Sequence, residues 1–148
     1  MKTLTTLKQI IDAAQDKTLY IRWSRGPALD RKQGRSIAYG TQAEAGLSAQ
    51  RVRTDDPGLL ARMLQEYQFC RCKDARIYCW ILAGERNGTG QDGEPTIDAN
   101  SIEPIGHVSD ELIEKCSAYN MAYWAWARKG YSAGNLANDV ERLFEAIK

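Results

Sequence analysis

Eight cations, Lys17, Arg22, Arg25, Arg31, Lys32, Arg35, Arg51 and Arg53, fall between positions 17 and 53, where only Asp30 and Glu44 are acidic. That segment carries +6 and the remainder −5, so the chain as a whole is close to balance at +1. Tyr20, Trp23 and Tyr39 are interleaved with the cations. Guanidinium forks bind phosphate at two points. A basic block carrying aromatics therefore suits a phosphate-bearing partner, a nucleotide or a nucleic acid. Arg25, Arg31, Lys32, Arg35, Arg51 and Arg53 are the partner-binding candidates. The competing account is a solvated face whose charges pair with the acidic half.

Other constellations are weaker. Asp92 and Glu94 stand two apart, a spacing that puts both on one face of a strand and suits acid–base work by paired carboxylates. Gly88-Thr89-Gly90-Gln91-Asp92-Gly93 spells the dinucleotide-binding G-x-G-x-x-G. That motif needs a helix whose first amides face the pyrophosphate, and Glu94-Pro95-Thr96-Ile97 reads as a strand instead. Asn87-Gly88 is also a hairpin-turn signal, so a β-hairpin is expected there. Cys70, Cys72, Cys79 and Cys116, with His107 as the single histidine, lack the paired spacing of a zinc site, and no metal is expected. A lone histidine without a nucleophile motif reads as structural.

The elements that must position these residues follow from periodicity. Leu4, Leu7, Ile10, Ile11 and Ala14 predict an amphipathic helix over 3–15. Thr18 to Ser24 is β-branched and aromatic and predicts a strand carrying Arg22 and Trp23. Ser36 to Tyr39 and Gly46 to Val52 are short candidate strands. Asp55-Asp56-Pro57 starts a helix with its apolar stripe at Leu59, Leu60, Met63, Leu64 and Tyr67. Arg76 to Gly84 is apolar almost throughout and predicts the central strand. Glu85 to Gly93 reads as a glycine-rich loop, and Glu94 to Ile105 as one or two extended pieces. Ser109 caps a long helix ended by Gly130, and Leu136, Val140, Leu143, Phe144 and Ile147 define a last one. The expected fold is α+β: a small mixed or antiparallel sheet flanked by helices, with a C-terminal helical hairpin. Its 148 residues suit a single domain, 1–107 holding the sheet and 108–148 the hairpin.

With 43% hydrophobic residues, four Trp and seven Tyr, global disorder is excluded. No apolar run reaches the roughly 20 residues of a membrane helix, and no signal-peptide core is seen at the N-terminus, so a cytoplasmic protein is expected. Trp124 and Trp126 cannot both face one core from a helix. One of them is expected to be exposed or to cover a partner or a second surface, an oligomerisation or interaction signal for the C-terminal helices whose competing account is packing against the terminal helix.

The run LYIRWSRGPALD, then GLSA, then WILAG…GEP…EPIGHVSDEL resembles an uncharacterised bacterial family of unknown function, over residues 18 to about 115. Arg22, Ser48 and Glu94 also resemble, in order and expected secondary structure, the motif residues of Arg-Ser-Glu type ADP-ribosyltransferases. This second resemblance implies NAD as cofactor and ADP-ribosyl transfer or NAD hydrolysis as activity. Arg22 would hold the cofactor phosphate, Ser48 would shape the pocket and Glu94 would face the nicotinamide ribose, with Tyr39 or Trp23 stacking on nicotinamide. A carboxylate beside the ribose stabilises the oxocarbenium ion formed as the glycosidic bond breaks. The sequence departs from the pattern in having Ala49 after Ser48 and Asp92 two positions before Glu94, and Glu85 and Glu103 are rival carboxylates. The alternative is a non-enzymatic binding module, of the mobile-element or phage-inhibitor type, that engages a protein or nucleic acid through the basic surface.

Overall fold

The computed structural model describes residues 2–27, 36–47, 49–53, 55–66, 74 and 76–148. The chain runs β1 (Lys2–Leu4), α1 (Leu7–Ala13), β2 (Lys17–Ser24), β3 (Ser36–Ile37), α2 (Gln42–Ala45), β4 (Gln50–Arg51) and α3 (Pro57–Gln65). It continues through β5 (Tyr78–Thr89), β6 (Pro95–Asp98), a 3-10 turn, β7 (Glu103–Val108), α4 (Asp110–Arg128) and α5 (Gly134–Ile147). This is an α+β fold whose sheet is mixed. Its order is β1-β7-β5-β2-β4, and β6 extends the distal half of β5 and pairs with β3. Among the described strands only β1 and β7 run parallel; β5 is antiparallel to β2, β6 and β7.

Two apolar layers explain why the central strands are hydrophobic on both faces. Leu19, Ile21, Cys79, Ile81 and Ala83 point to the helices and join Leu7, Ile10, Leu60, Leu64, Leu112, Cys116 and Ile147 in the main core. Their strand neighbours Tyr20 and Leu82 point the other way. They meet Ile37, Leu47, Ile97, Ala99 and Ile102 in a second, smaller core. Strand alternation thus divides one apolar run between two cores. The Cys79 and Cys116 side chains are both fully buried, and burial pushes the Cys116 thiol up to about 12, which makes it inert.

Caps set the helix boundaries. Thr6 and Gln9 form a capping box, so α1 begins at Leu7 and not at residue 3. The apolar periodicity had absorbed Leu4, which instead sits on β1 in register with Val108. Asp56 accepts from the Leu59 amide at the start of α3, with Pro57 in its first turn. Ser109 accepts from the Leu112 amide at the start of α4. The helix expected to reach Tyr67 is described as far as Gln65, and Tyr67 lies outside the described residues.

Two further boundaries differ from expectation. The strand expected over 46–52 is reduced to Gln50–Arg51, because Thr41 caps the short helix α2 just before it. The loop expected at 85–93 is mostly strand. Asn87 does not turn the chain but bonds Ser36 Oγ and Thr96 Oγ1 at 2.6 and 2.7 Å, which knits β5 to β3 and β6. The hairpin turn comes three residues later, closed by Gly90 N–H donating to the Glu94 carbonyl, with Gly93 at φ +81°.

Candidate functional site

A cleft of about 270 Å³ opens where the end of α1, the start of β2, the residues after β4 and the β5–β6 hairpin meet. Lys17, Tyr39, Arg51, Arg53 and Arg86 line it, together with Asp55 and Glu94. Lys17, Arg51 and Arg53 come from the basic segment. Arg86 was not singled out by sequence reasoning, which placed it in a loop.

Arg51, which lines this cleft, is held from beneath in a buried ion pair. Arg51 Nη2 lies 2.7 Å and its Nε 3.1 Å from the two carboxylate oxygens of Glu44, and both side chains are less than a tenth exposed. Arg51 also donates to the Pro95 carbonyl at 3.0 Å and to the Tyr20 hydroxyl at 3.3 Å. The Tyr39 ring lies over its guanidinium at 5.1 Å. This one side chain therefore ties β4 to α2, to β2 and to the hairpin. Burial raises the Glu44 carboxyl above its ordinary range, and Arg51 opposes that shift without cancelling it. Burial likewise pushes Tyr20 up to about 12. Arg51 was expected to contact a partner; its burial makes it a structural group instead.

Arg86 is also committed to the fold. It donates to the carbonyls of Ala14, Gln15 and Lys17 and to Thr18 Oγ1, closing the C-terminal end of α1 onto the sheet. Arg53 is exposed and pairs with Asp55 at 3.2 Å. That pairing raises Arg53 and lowers Asp55, and Tyr39 adds a hydrogen bond to Arg53. Among the described residues, Lys17 supplies the remaining cation at the cleft.

The structure brings Glu94 and Tyr39 together here, and does not bring Arg22 or Trp23 with them. Arg22 lies further along β2, past the buried Tyr20, where it faces Trp80 in register and donates to Ser24 Oγ at 3.1 Å. Trp23 points to the opposite face, because neighbours on a strand alternate, and it packs against the main core. Ser48 lies outside the described residues, as do Arg31, Lys32, Arg35, Cys70 and Cys72. Asp92 is not paired with Glu94 across a strand. It sits in the hairpin turn, where its carboxylate accepts from the Glu94 amide at 3.0 Å. Glu85 and Glu103 lie outside the cleft.

At the other end of β2, Arg25 joins Asp74 at 2.7 Å, and Arg76 joins the same carboxylate at 3.1 Å. A backbone hydrogen bond from Arg76 and the two guanidinium groups hold Asp74 down at about 2. A depressed carboxyl stabilises the fold above its unfolded value, and that contribution is lost as pH falls through the folded one. Carboxyl carbon shifts followed by NMR should therefore show Asp74 titrating near pH 2. A midpoint in the ordinary range near 4 would mean the two arginines do not hold it in solution.

Beside this group Tyr78, Trp80 and His107 form a ring cluster, with centroids 5.2–5.7 Å apart. Trp80 Nε1 donates to the Ser24 carbonyl, and His107 Nε2 lies 3.5 Å from Thr3 Oγ1. Neither Tyr78 nor Trp80 was singled out as a site residue in the sequence, because both fall in the run that reads as buried strand. On α4, Trp124 is half exposed, whereas Trp126 packs on the main core and meets Tyr131 edge-on at 4.7 Å.

Among the described residues no group of three or more His, Cys, Asp and Glu can hold a metal ion, and no helix is long and apolar enough to cross a membrane. No curated protein and no solved structure matches the chain. A family of unknown function, DUF6098, matches residues 1–129, from β1 to the end of α4, and the chain belongs to that family.

Proposed function

We propose that this protein is a binding module whose cleft takes a phosphate-bearing ligand. The observation that carries this reading is the convergence of Lys17 and Arg53 with the Tyr39 ring in one cleft, beside an Arg51 already neutralised by buried Glu44. With Arg51 and Arg86 held by the fold, Lys17 and Arg53 are the cations in position to meet an anion. Arg53 can exchange its exposed Asp55 partner for phosphate at little cost, since solvent screens such surface pairs. Tyr39, 37% exposed, offers a ring edge and hydroxyl to the attached group.

Titration of the labelled protein with ADP, followed by amide NMR, should move resonances around Lys17, Tyr39 and Arg53. The affinity should fall as salt rises, because exposed charges are screened. The double variant Lys17→Glu with Arg53→Glu should lose at least tenfold in affinity while keeping its melting temperature within a few degrees. Shifts scattered over the surface, or unchanged binding by the double variant, would remove the cleft as the site.

A second reading keeps Glu94. It shares the cleft with Tyr39, two of the groups expected for NAD, and Lys17 and Arg53 would then replace Arg22 as the phosphate clamp. The two readings separate on nicotinamide release from NAD, measured by chromatography with Glu94→Gln as control. A binding module releases none, whereas an NAD-consuming enzyme releases it and loses that activity in the variant.

A further inference from the structure

Away from the cleft, the face of the sheet opposite the helices carries a cross-strand row in register, Arg22 on β2, Trp80 on β5, His107 on β7 and Thr3 on β1. Tyr78, two residues before Trp80 and therefore on the same face, stands beside this row in register with Ser24 and is 45% exposed. Trp80 and His107 pack against its ring, so Tyr78 is an aromatic group in water held rigid by two others. The second core covers the neighbouring stretch of this face at Tyr20 and Leu82 and leaves Tyr78 outside it.

Among the described residues, the charged positions next to Tyr78 on β2 and before β5 are mostly basic. Arg25 follows Ser24, the register partner of Tyr78, and Arg76 lies two residues before Tyr78; both are largely exposed and share the carboxylate of Asp74. Arg22 is two strand positions from Ser24, the register partner of Tyr78. Among the described residues, two largely exposed arginines that share one carboxylate thus stand at chain positions next to an exposed ring. An aliphatic or acidic peptide would use either the ring or the arginines. An unpaired nucleotide uses both, its base stacking on the ring and its phosphates meeting the guanidinium groups. A duplex cannot, because its bases are already stacked on one another.

We infer that the Tyr78 face is a stacking site for unpaired bases of a single-stranded nucleic acid, distinct from the cleft and independent of what the cleft binds. The ribose 2′-hydroxyl decides between RNA and DNA, and nothing in the chemistry of the row demands it, so both strands belong in the test.

Fluorescence anisotropy with labelled 12-nucleotide single-stranded DNA, single-stranded RNA and a 12-base-pair DNA duplex tests this on the full chain. Single strands should bind at least tenfold more tightly than the duplex. Tyr78→Ala should weaken single-strand binding about tenfold, and Tyr78→Phe, which keeps the ring, should stay within twofold of the parent. Melting temperatures of both variants establish that they are folded. Lys17→Glu with Arg53→Glu, which disables the cleft, should leave single-strand binding within threefold, so failure of one site is distinguishable from failure of the other. Equal affinity for duplex and single strand, no single-strand binding by the parent chain, or a folded Tyr78→Ala that binds like the parent would each overturn the inference.

Discussion

Arg51→Met is expected to destabilise the protein by about 3–5 kcal/mol, the usual cost of leaving a buried charge without its partner. Methionine fills much of the same volume, so the loss reports on Glu44 and on the orphaned acceptors at Pro95 and Tyr20 and not on a cavity. The double variant Arg51→Met with Glu44→Leu removes both charges, and an apolar pair of similar volume is often neutral relative to a buried ion pair. It should recover most of the loss.

The pH dependence of Arg51→Met follows from the same contacts. Burial already raises the Glu44 carboxyl, and the Arg51 charge is what limits that shift. Without Arg51 the folded state holds the Glu44 proton to higher pH than the unfolded state does. Stability of the single variant must then fall as pH rises through the folded value and recover as pH drops below it. Urea midpoints at several pH values measure this. A loss under 1 kcal/mol, or a double variant no better than the single one, would mean that Arg51 and Glu44 do not form the buried link between β4, α2 and the hairpin.

The same pair marks where the sequence was readable. The strands at Thr18 to Ser24 and Arg76 to Gly84, the helix starts at Asp56 and Ser109, and the helical pair at the C-terminus are set by local patterns of alternation and capping, so the α+β fold is visible in the chain. The role of Arg51 is not. In sequence it is one of eight cations in a basic block. Its burial depends on Glu44, brought beside it by α2, and on Pro95, brought by a hairpin forty-four residues away. Arg86 was hidden for the same reason, because its acceptors lie at the end of α1, sixty-eight or more residues earlier. Arg22 and Trp23, the latter an alternative to Tyr39 at the expected cofactor site, lie on opposite faces by a purely local rule, since adjacent strand residues face opposite ways. Tyr39 and Glu94 line one cleft, next to strands β3 and β6 whose pairing no local pattern encodes.

Gly84 carries the clearest example of a residue whose reason lies across space, and Gly84→Ala should cost about 1–3 kcal/mol. In sequence it looks like the end of a strand, followed by a loop. In the fold β5 continues through it in register with Thr18, and its backbone is not in the left-handed region, so glycine is not required by φ. It is required by space. A Cβ placed there would lie 2.5 Å from Ile97 Cγ2 and 3.1 Å from Ile102 Cγ1, inside the second core. Ile97 must retreat, and with it β6, whose first residue Pro95 accepts the hydrogen bond from Arg51 at the cleft. The substitution should therefore speed amide exchange in β6 and weaken ligand binding in the cleft without altering any residue that lines it. Ile97→Ala alone removes the clashing methyl and leaves a cavity, at about 2–5 kcal/mol. Combined with Gly84→Ala, the new methyl occupies part of that space. The double variant should thus lose at least 1 kcal/mol less than the sum of the two singles, as expected for neighbours sharing one volume. Strict additivity in urea denaturation would show that the close approach of β6 to β5 is not what reserves this position for glycine.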